Sequence, residues 1–175
     1  MGRWTTRLAL ALGVLLAVGF VGLSAFGGYM WWDRDQLAAE QQTREELGPC
    51  TGDRQPPNCD LAAQQIPLVF GYDFQTVERS LTDAYQLLTP AYRREFEERA
   101  NQDIIPQARD RQVISQANVV GTGVLDAHRD SASVLVFMNR TVTDKSKQPV
   151  YDGSRLRVDY EKIDGQWKIN FITPV

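Results

Sequence analysis

The sequence predicts an α+β domain in which three helices pack on one face of a curved four-stranded antiparallel sheet, behind an N-terminal transmembrane helix and a stalk. Three observations carry that prediction. Leu8 to Trp32 is 25 residues long and contains no charge. Between residues 61 and 104 apolar side chains recur at spacings of three and four, the signature of half-buried helices. From residue 112 onward the period changes to β-branched and aromatic runs divided by turn residues. Helices that precede a sheet pack on one of its faces, and the simplest such arrangement is a cone in which a strand meander wraps around the longest helix. The expected divisions are a tail at 1–7, a membrane span at 8–32, a stalk and cysteine loop at 33–60, and the α+β domain at 61–175.

The apolar run is long enough to matter. At about 1.5 Å per residue it gives roughly 37 Å of helix, against a hydrocarbon core of about 30 Å. Arg3 and Arg7 precede it, and Trp31 and Trp32 close it beside Asp33, as interfacial indoles do. The short basic tail places the N-terminus in the cytoplasm. A cleaved secretory signal is the alternative, but the run is longer than a signal core and Leu23-Ser24-Ala25 is a poor cleavage triplet. Ala9, Gly13, Ala17, Ser24 and Gly28 fall within about 100° of one another on this helix. Such a small-residue stripe permits close approach of a second membrane helix, from a partner subunit or from a second copy of the chain.

Residues 33–47, DRDQLAAEQQTREEL, are helix formers and polar nearly all round, so they read as a solvated stalk ended by Gly48-Pro49. Cys50 and Cys59 follow in a Gly- and Pro-rich stretch. Two cysteines separated by eight residues, with one remote histidine, make a poor metal site, and there is no CxxC redox motif. A local disulfide outside the cytoplasm fits them better, two unpaired surface thiols being the alternative. The 19 basic and 22 acidic residues give a net charge of −3. Arg3 and Arg7 belong to the tail, so the remainder is more acidic still, which argues against nucleic acid as a partner.

Leu61 to Phe70 forms a short helix that Pro67 ends or kinks. Asp73 reads as the N-cap of a stronger helix whose buried face is Phe74, Val77, Leu81, Ala84 and Leu88. Thr89-Pro90 starts the next, with Thr as cap and Pro at the first helical position; Tyr92, Phe96, Ala100 and Ile104 mark its buried face. The strands are expected at Gln112–Asp126, Ser131–Thr143, Ser154–Ile163 and Gln166–Pro174, with a polar turn at Lys145 to Gly153. Asp164-Gly165 signals a type I′ hairpin. Trp167, Phe171, Phe137 and Tyr160 are read as filling the interior.

The runs YDFQTVERSL, LLTPAYRREFEE, SVLVFMNRTVTD and SRLRVDYEKIDGQWKINFITPV, behind one membrane helix, resemble the Mce-associated membrane proteins of actinobacteria. That resemblance spans most of Tyr72 to Val175, and the closing DGQW with terminal Pro-Val carries most of it. The cysteine loop and Pro67 depart from the pattern. The resemblance implies a single-pass protein of the cell membrane whose exported domain has a nuclear-transport-factor-2-like fold and stands beside a lipid-import machinery.

No constellation for catalysis is visible. His128 lies in the turn AHRDS, Asp73 in a cap, Asp164 in a turn, and Asp159 on the wet face of its strand. No Ser or Thr has a histidine to activate it, and no phosphate loop or HExxH pair occurs. Asn139-Arg140-Thr141 matches a glycosylation sequon but lies within a strand. The sequence therefore points to a non-enzymatic protein without cofactor or metal. Three functions stay open. One is an accessory or scaffolding subunit of an Mce-type lipid transporter, bound to its permease and Mce-type subunits. The second is a bitopic assembly protein of a type IV secretion-like apparatus. The third is a small-molecule or lipid binder that uses the cone interior.

Overall fold

The computed structural model describes residues 28–50 and 60–175. The chain divides into two compact units, Met1–Ala39 and Glu40–Val175. In the first, the described residues 28–39 are helical and expose Tyr29, Trp31 and Trp32. This helix, α1, runs through residues 28–47, so its last two turns belong to the second unit.

The second unit continues with α2 (Leu61–Phe70), β1 (Tyr72–Asp73), α3 (Val77–Tyr85), α4 (Pro90–Arg99), a π-helical turn (Ala100–Ile104), α5 (Ile105–Arg111) and strands β2 (Ile114–Ala127), β3 (Ser131–Thr143), β4 (Val150–Ile163) and β5 (Gln166–Pro174). The five strands form one antiparallel sheet in sequence order.

The α+β order agrees with expectation, but the predicted element counts do not. Five strands stand where four are expected, because Tyr72 and Asp73 pair with Ser115 and Ile114, and a two-residue strand has no periodicity to read. Four helices, α2 to α5, stand where three are expected. The fourth helix, with Pro106 in its first turn, was not anticipated, because IPQARDR carries no apolar stripe to announce it. The preceding turn is widened: the Ile105 N–H bonds the Ala100 carbonyl five residues back, which lets the chain pass through a residue with no N–H of its own. The expected transmembrane helix is not found either. No helix among the described residues is long and apolar enough to cross a membrane, and residues 8–27 of the expected span lie outside them.

Local chemistry explains the ends of the elements. Thr89 caps α4 by accepting from the Tyr92 N–H at 3.3 Å, with Pro90 in the first turn as read from sequence. Asp73 is not a helix cap. It lies in β1, its carboxylate accepts from the Gln75 N–H at 2.8 Å, and Thr76 precedes α3. Pro67 does not stop α2, because only its own donor is missing; the Gly71 N–H still reaches the Pro67 carbonyl at 2.8 Å. Asp164 and Gly165 have φ of 50° and 77°, the left-handed pair that a type I′ turn requires.

Alternation sorts the sheet into two faces. Val134, Val136 and Met138 of β3 and Leu156, Val158 and Tyr160 of β4 are buried against α2, α3 and α4. Register shifts at Val119/Gly121 and Val124/Asp126 leave Val120 and Leu125 as extra residues on β2, and a third shift sets Asn170 out of pairing on β5. Bulges of this kind bend a strand and increase its twist, and they curl this sheet around the helices. At the β5 bulge the Thr89 hydroxyl meets Asn170 Oδ1 at 3.1 Å, while Ile169 exchanges backbone hydrogen bonds with Leu87 and Thr89.

The end of α1 is not a solvated stalk. Thr43 and Leu47 are buried in the second unit, and the Thr43 hydroxyl donates to the His128 carbonyl at 2.9 Å. Between them Glu46 accepts from the Trp167 indole N–H at 2.6 Å and from Lys162 Nζ at 3.4 Å, with that ammonium 5.0 Å from the indole centroid. Burial pushes the Glu46 carboxyl up, but the Trp167 and Gln42 hydrogen bonds and Lys162 outweigh it and hold the group below its ordinary 4.5. A carboxylate with a lowered folded pKa adds stability above its unfolded value and loses it as pH falls through the folded one. Trp167→Phe should therefore cost on the order of 2 kcal/mol at pH 7, the size of a hydrogen bond to a charged group. In urea melts across pH, Glu46→Gln should flatten the loss of stability that wild type shows below about pH 4.5. An unchanged acid limb in that variant would remove Glu46 from the account.

Candidate functional site

The interior of a cone-shaped fold is where a catalytic base would be held, and here it is lined by buried, mostly apolar side chains. Tyr160 and Trp167 are buried as expected, together with Ile66, Leu81 and Ile169. The titratable group deepest within it is the Tyr160 phenol, which has no hydrogen-bond partner among the described residues. Burial, and then the charge of Asp60, push this phenol far up, so it stays protonated and cannot act as a base at neutral pH. Asp60 is committed to structure. It caps α2 at φ 54°, and its Oδ1 accepts from the Ala63 N–H at 3.2 Å and from the Thr122 hydroxyl at 2.9 Å.

The opposite face of the sheet has a different chemistry. Outward positions of β3 and β4 alternate with the core set, so Leu135 lies between Gly123 and Arg157, and Phe137 between Gly121 and Arg155. Phe137, expected inside, is 41% exposed, and Tyr151 further along β4 is 77% exposed. A Cβ at Gly121 would meet only the Phe137 ring at 4.0 Å, and one at Gly123 would meet nothing within 4 Å. No steric demand within the chain requires either glycine, and glycine inside a strand marks a bulge or the close approach of another group. Both flank the β2 bulges, and together they leave a floor without side chains beside two apolar residues.

Some of the polar groups on this face are paired with one another. The Ser133 hydroxyl donates to Asp159 Oδ1 at 2.5 Å, Arg157 Nε donates to the same oxygen at 2.9 Å, and Arg157 Nη2 reaches Ser133 Oγ at 3.1 Å. Asp159 is thus on the outward face, as alternation indicated. With these groups paired, the face still offers a partner Leu135, Phe137, Tyr151 and the exposed Arg155. Sequence reasoning assigned Phe137 to the core; its odd-numbered position opposite Gly121 was the available signal. Phe171, also expected inside, is 43% exposed and packs against Tyr92 with ring centroids 5.4 Å apart.

The structure brings none of the sequence-derived site residues to this face. Ala9, Gly13, Ala17 and Ser24 of the small-residue stripe lie outside the described residues, and Gly28 is an exposed helical residue. Cys59 also lies outside them. The flanks of its loop do meet: the Asp60 N–H donates to the Gly48 carbonyl at 2.7 Å, closing the neck two residues before Cys50 and one after Cys59. His128 occupies an exposed turn, with Nε2 2.9 Å from Asp126 Oδ2.

No family model matches the chain. An uncharacterised protein of Mycobacterium tuberculosis is 31% identical over 108 residues, covering 61% of this chain and 49% of that protein. An outer membrane protein of the same organism is 28% identical over 107 residues, covering 61% and 67%. The chain spans about half the length of the first of these. Among solved structures, the periplasmic domain of DotI superposes with a TM-score of 0.58 at 12% identity, over 71% of this chain and 99% of that one. CagV, a VirB8 homologue of the Helicobacter pylori type IV secretion system, gives 0.54 at 13% identity over 66% and 93%. An IcmL-like type IV secretion protein of Legionella pneumophila gives 0.56 at 9% identity over 65% and 88%. What is shared with these structures is the fold. The Mce-associated resemblance is not confirmed by these matches.

The closed neck of the cysteine loop leads to a direct expectation. Thiol labelling of the denatured, unreduced protein should find neither Cys50 nor Cys59 reactive, and both reactive after reduction; full labelling without reductant would exclude the bridge.

Proposed function

We propose that this chain is a non-enzymatic assembly subunit of a cell-envelope complex, of the type IV secretion-like kind. Its folded domain stands outside the cytoplasm, and the uncharged 8–32 segment attaches it to a membrane with the N-terminus inside. The observation that carries this reading is the fold held in common with the periplasmic domain of DotI and with CagV, a VirB8 homologue of a type IV secretion system. An apolar interior and a sheet face that exposes Phe137 and Tyr151 support a role in contact rather than chemistry. An accessory role beside an Mce-type lipid transporter has the sequence resemblance behind it and no match to support it.

Purification of the tagged full-length chain from its native membranes in mild detergent tests this. Secretion-type assembly components, including an ATPase, are expected to copurify. A permease with Mce-type subunits in their place would overturn the assignment. Phe137→Glu should release the partners at least tenfold while changing stability by less than about 0.5 kcal/mol, as exposed substitutions do. Full retention of partners in that variant would move the contact elsewhere.

A further inference from the structure

We propose that the cleft where α4, the π-helical turn and α5 meet the open end of the sheet binds a small anion carrying a phosphate or carboxylate group. The cleft holds about 300 Å³, and Tyr72, Arg99, Arg111 and Arg140 line it beside the apolar Ile104 and Val142. Three guanidinium groups share it with a single lining carboxylate, Asp103. Three cations are thus gathered in one cleft of a chain of net charge −3.

Each arginine is positioned from one side. Arg99 pairs with Glu95 at 2.9 Å, Arg111 with Asp144 at 2.8 Å and Arg140 with Asp152 at 3.2 Å. All three pairs use a terminal nitrogen, and a guanidinium has five donors. The Arg140 Nε–H is buried without an acceptor among the described residues, an uncommon state for a charged donor in a folded protein. The Tyr72 phenol lies in the field of the same residues: burial raises its pKa while Arg140 and Arg111 act to lower it, so it remains a hydroxyl donor beside two cations. A planar fork of N–H groups matches the oxygens of a carboxylate or phosphate. The apolar side of the cleft suits a short hydrocarbon portion of the molecule that carries the anion.

Free anions and lipid headgroups share this chemistry, and one experiment separates them. The ¹⁵N-labelled full-length chain in neutral detergent is titrated with inorganic phosphate while the arginine Nε–H signals are followed. Arg111 and Arg140 signals are expected to move saturably with one common Kd, and those of Arg93 and Arg155 to stay in place. Tyr72→Phe should weaken binding at least threefold, and Arg140→Gln at least tenfold with the remaining spectrum unchanged. If Arg140→Gln fails to fold, Arg140→Lys, which keeps the charge beside Asp152, should still weaken binding at least threefold. Phosphatidylcholine vesicles containing phosphatidic acid are then added to the phosphate complex. Displacement assigns the site to a headgroup, and unchanged phosphate binding assigns it to a free anion; either outcome supports the anion site. Linear, equal shifts at every arginine, or an unaltered Kd in the Tyr72 and Arg140 variants, would overturn it.

Discussion

The period-two alternation of β3 and β4 is the constraint on which the rest of this molecule depends. It sends Val134, Val136, Met138, Leu156, Val158 and Tyr160 to one face, where α2, α3 and α4 cover them. A slip of one residue would expose that whole set and bury Arg155, Arg157 and Asp159. Two consequences follow from the same pattern. The covered face becomes a largely apolar interior in which the Tyr160 phenol is buried and held protonated. The uncovered face pairs Arg157 with Asp159 and Ser133 and leaves Phe137, Tyr151 and Arg155 exposed.

The helices are fastened to this sheet by a few polar contacts at its ends. Glu46 ties the last turn of α1 to the indole of Trp167, whose ring belongs to the core. Asp60 caps α2 and bonds Thr122 on β2, and the Ser115 hydroxyl donates to the Phe70 carbonyl at 2.8 Å where α2 ends. These contacts place the loop that carries both cysteines between two anchored elements, α1 and α2. The π-helical turn acts at the other end of the sheet, where it carries the chain past Pro106 and sets Asp103 and Ile104 at the edge of the arginine-lined cleft.

Much of this was legible in the sequence, for identifiable reasons. Ser131–Thr143 and Gln166–Pro174 carry strong alternation and clear turn residues, and both strands have the expected bounds. Thr89-Pro90 and Asp164-Gly165 are short signals with a single stereochemical meaning. The failures have causes of the same kind. A strand of two residues has no period, and α5 has no apolar stripe. Thr43 and Leu47 are too few to show a buried face on a helix otherwise rich in charge, so the packing of α1 on Trp167 was invisible. Phe137 looked like core because hydrophobicity was read without its register opposite Gly121. The arginine cleft gathers residues from β1, α4, α5 and β3, and nothing in linear spacing announces a site assembled across such distances.

The proposed assembly role assigns the outward face of the sheet as the surface that partners cover. Hydroxyl-radical footprinting of Phe137 and Tyr151, in native membranes and in the purified chain, measures this directly. Protection of both residues in membranes, with oxidation of both in the isolated protein, is the result expected. Equal oxidation in the two states would contradict the account and leave that face bare in the cell.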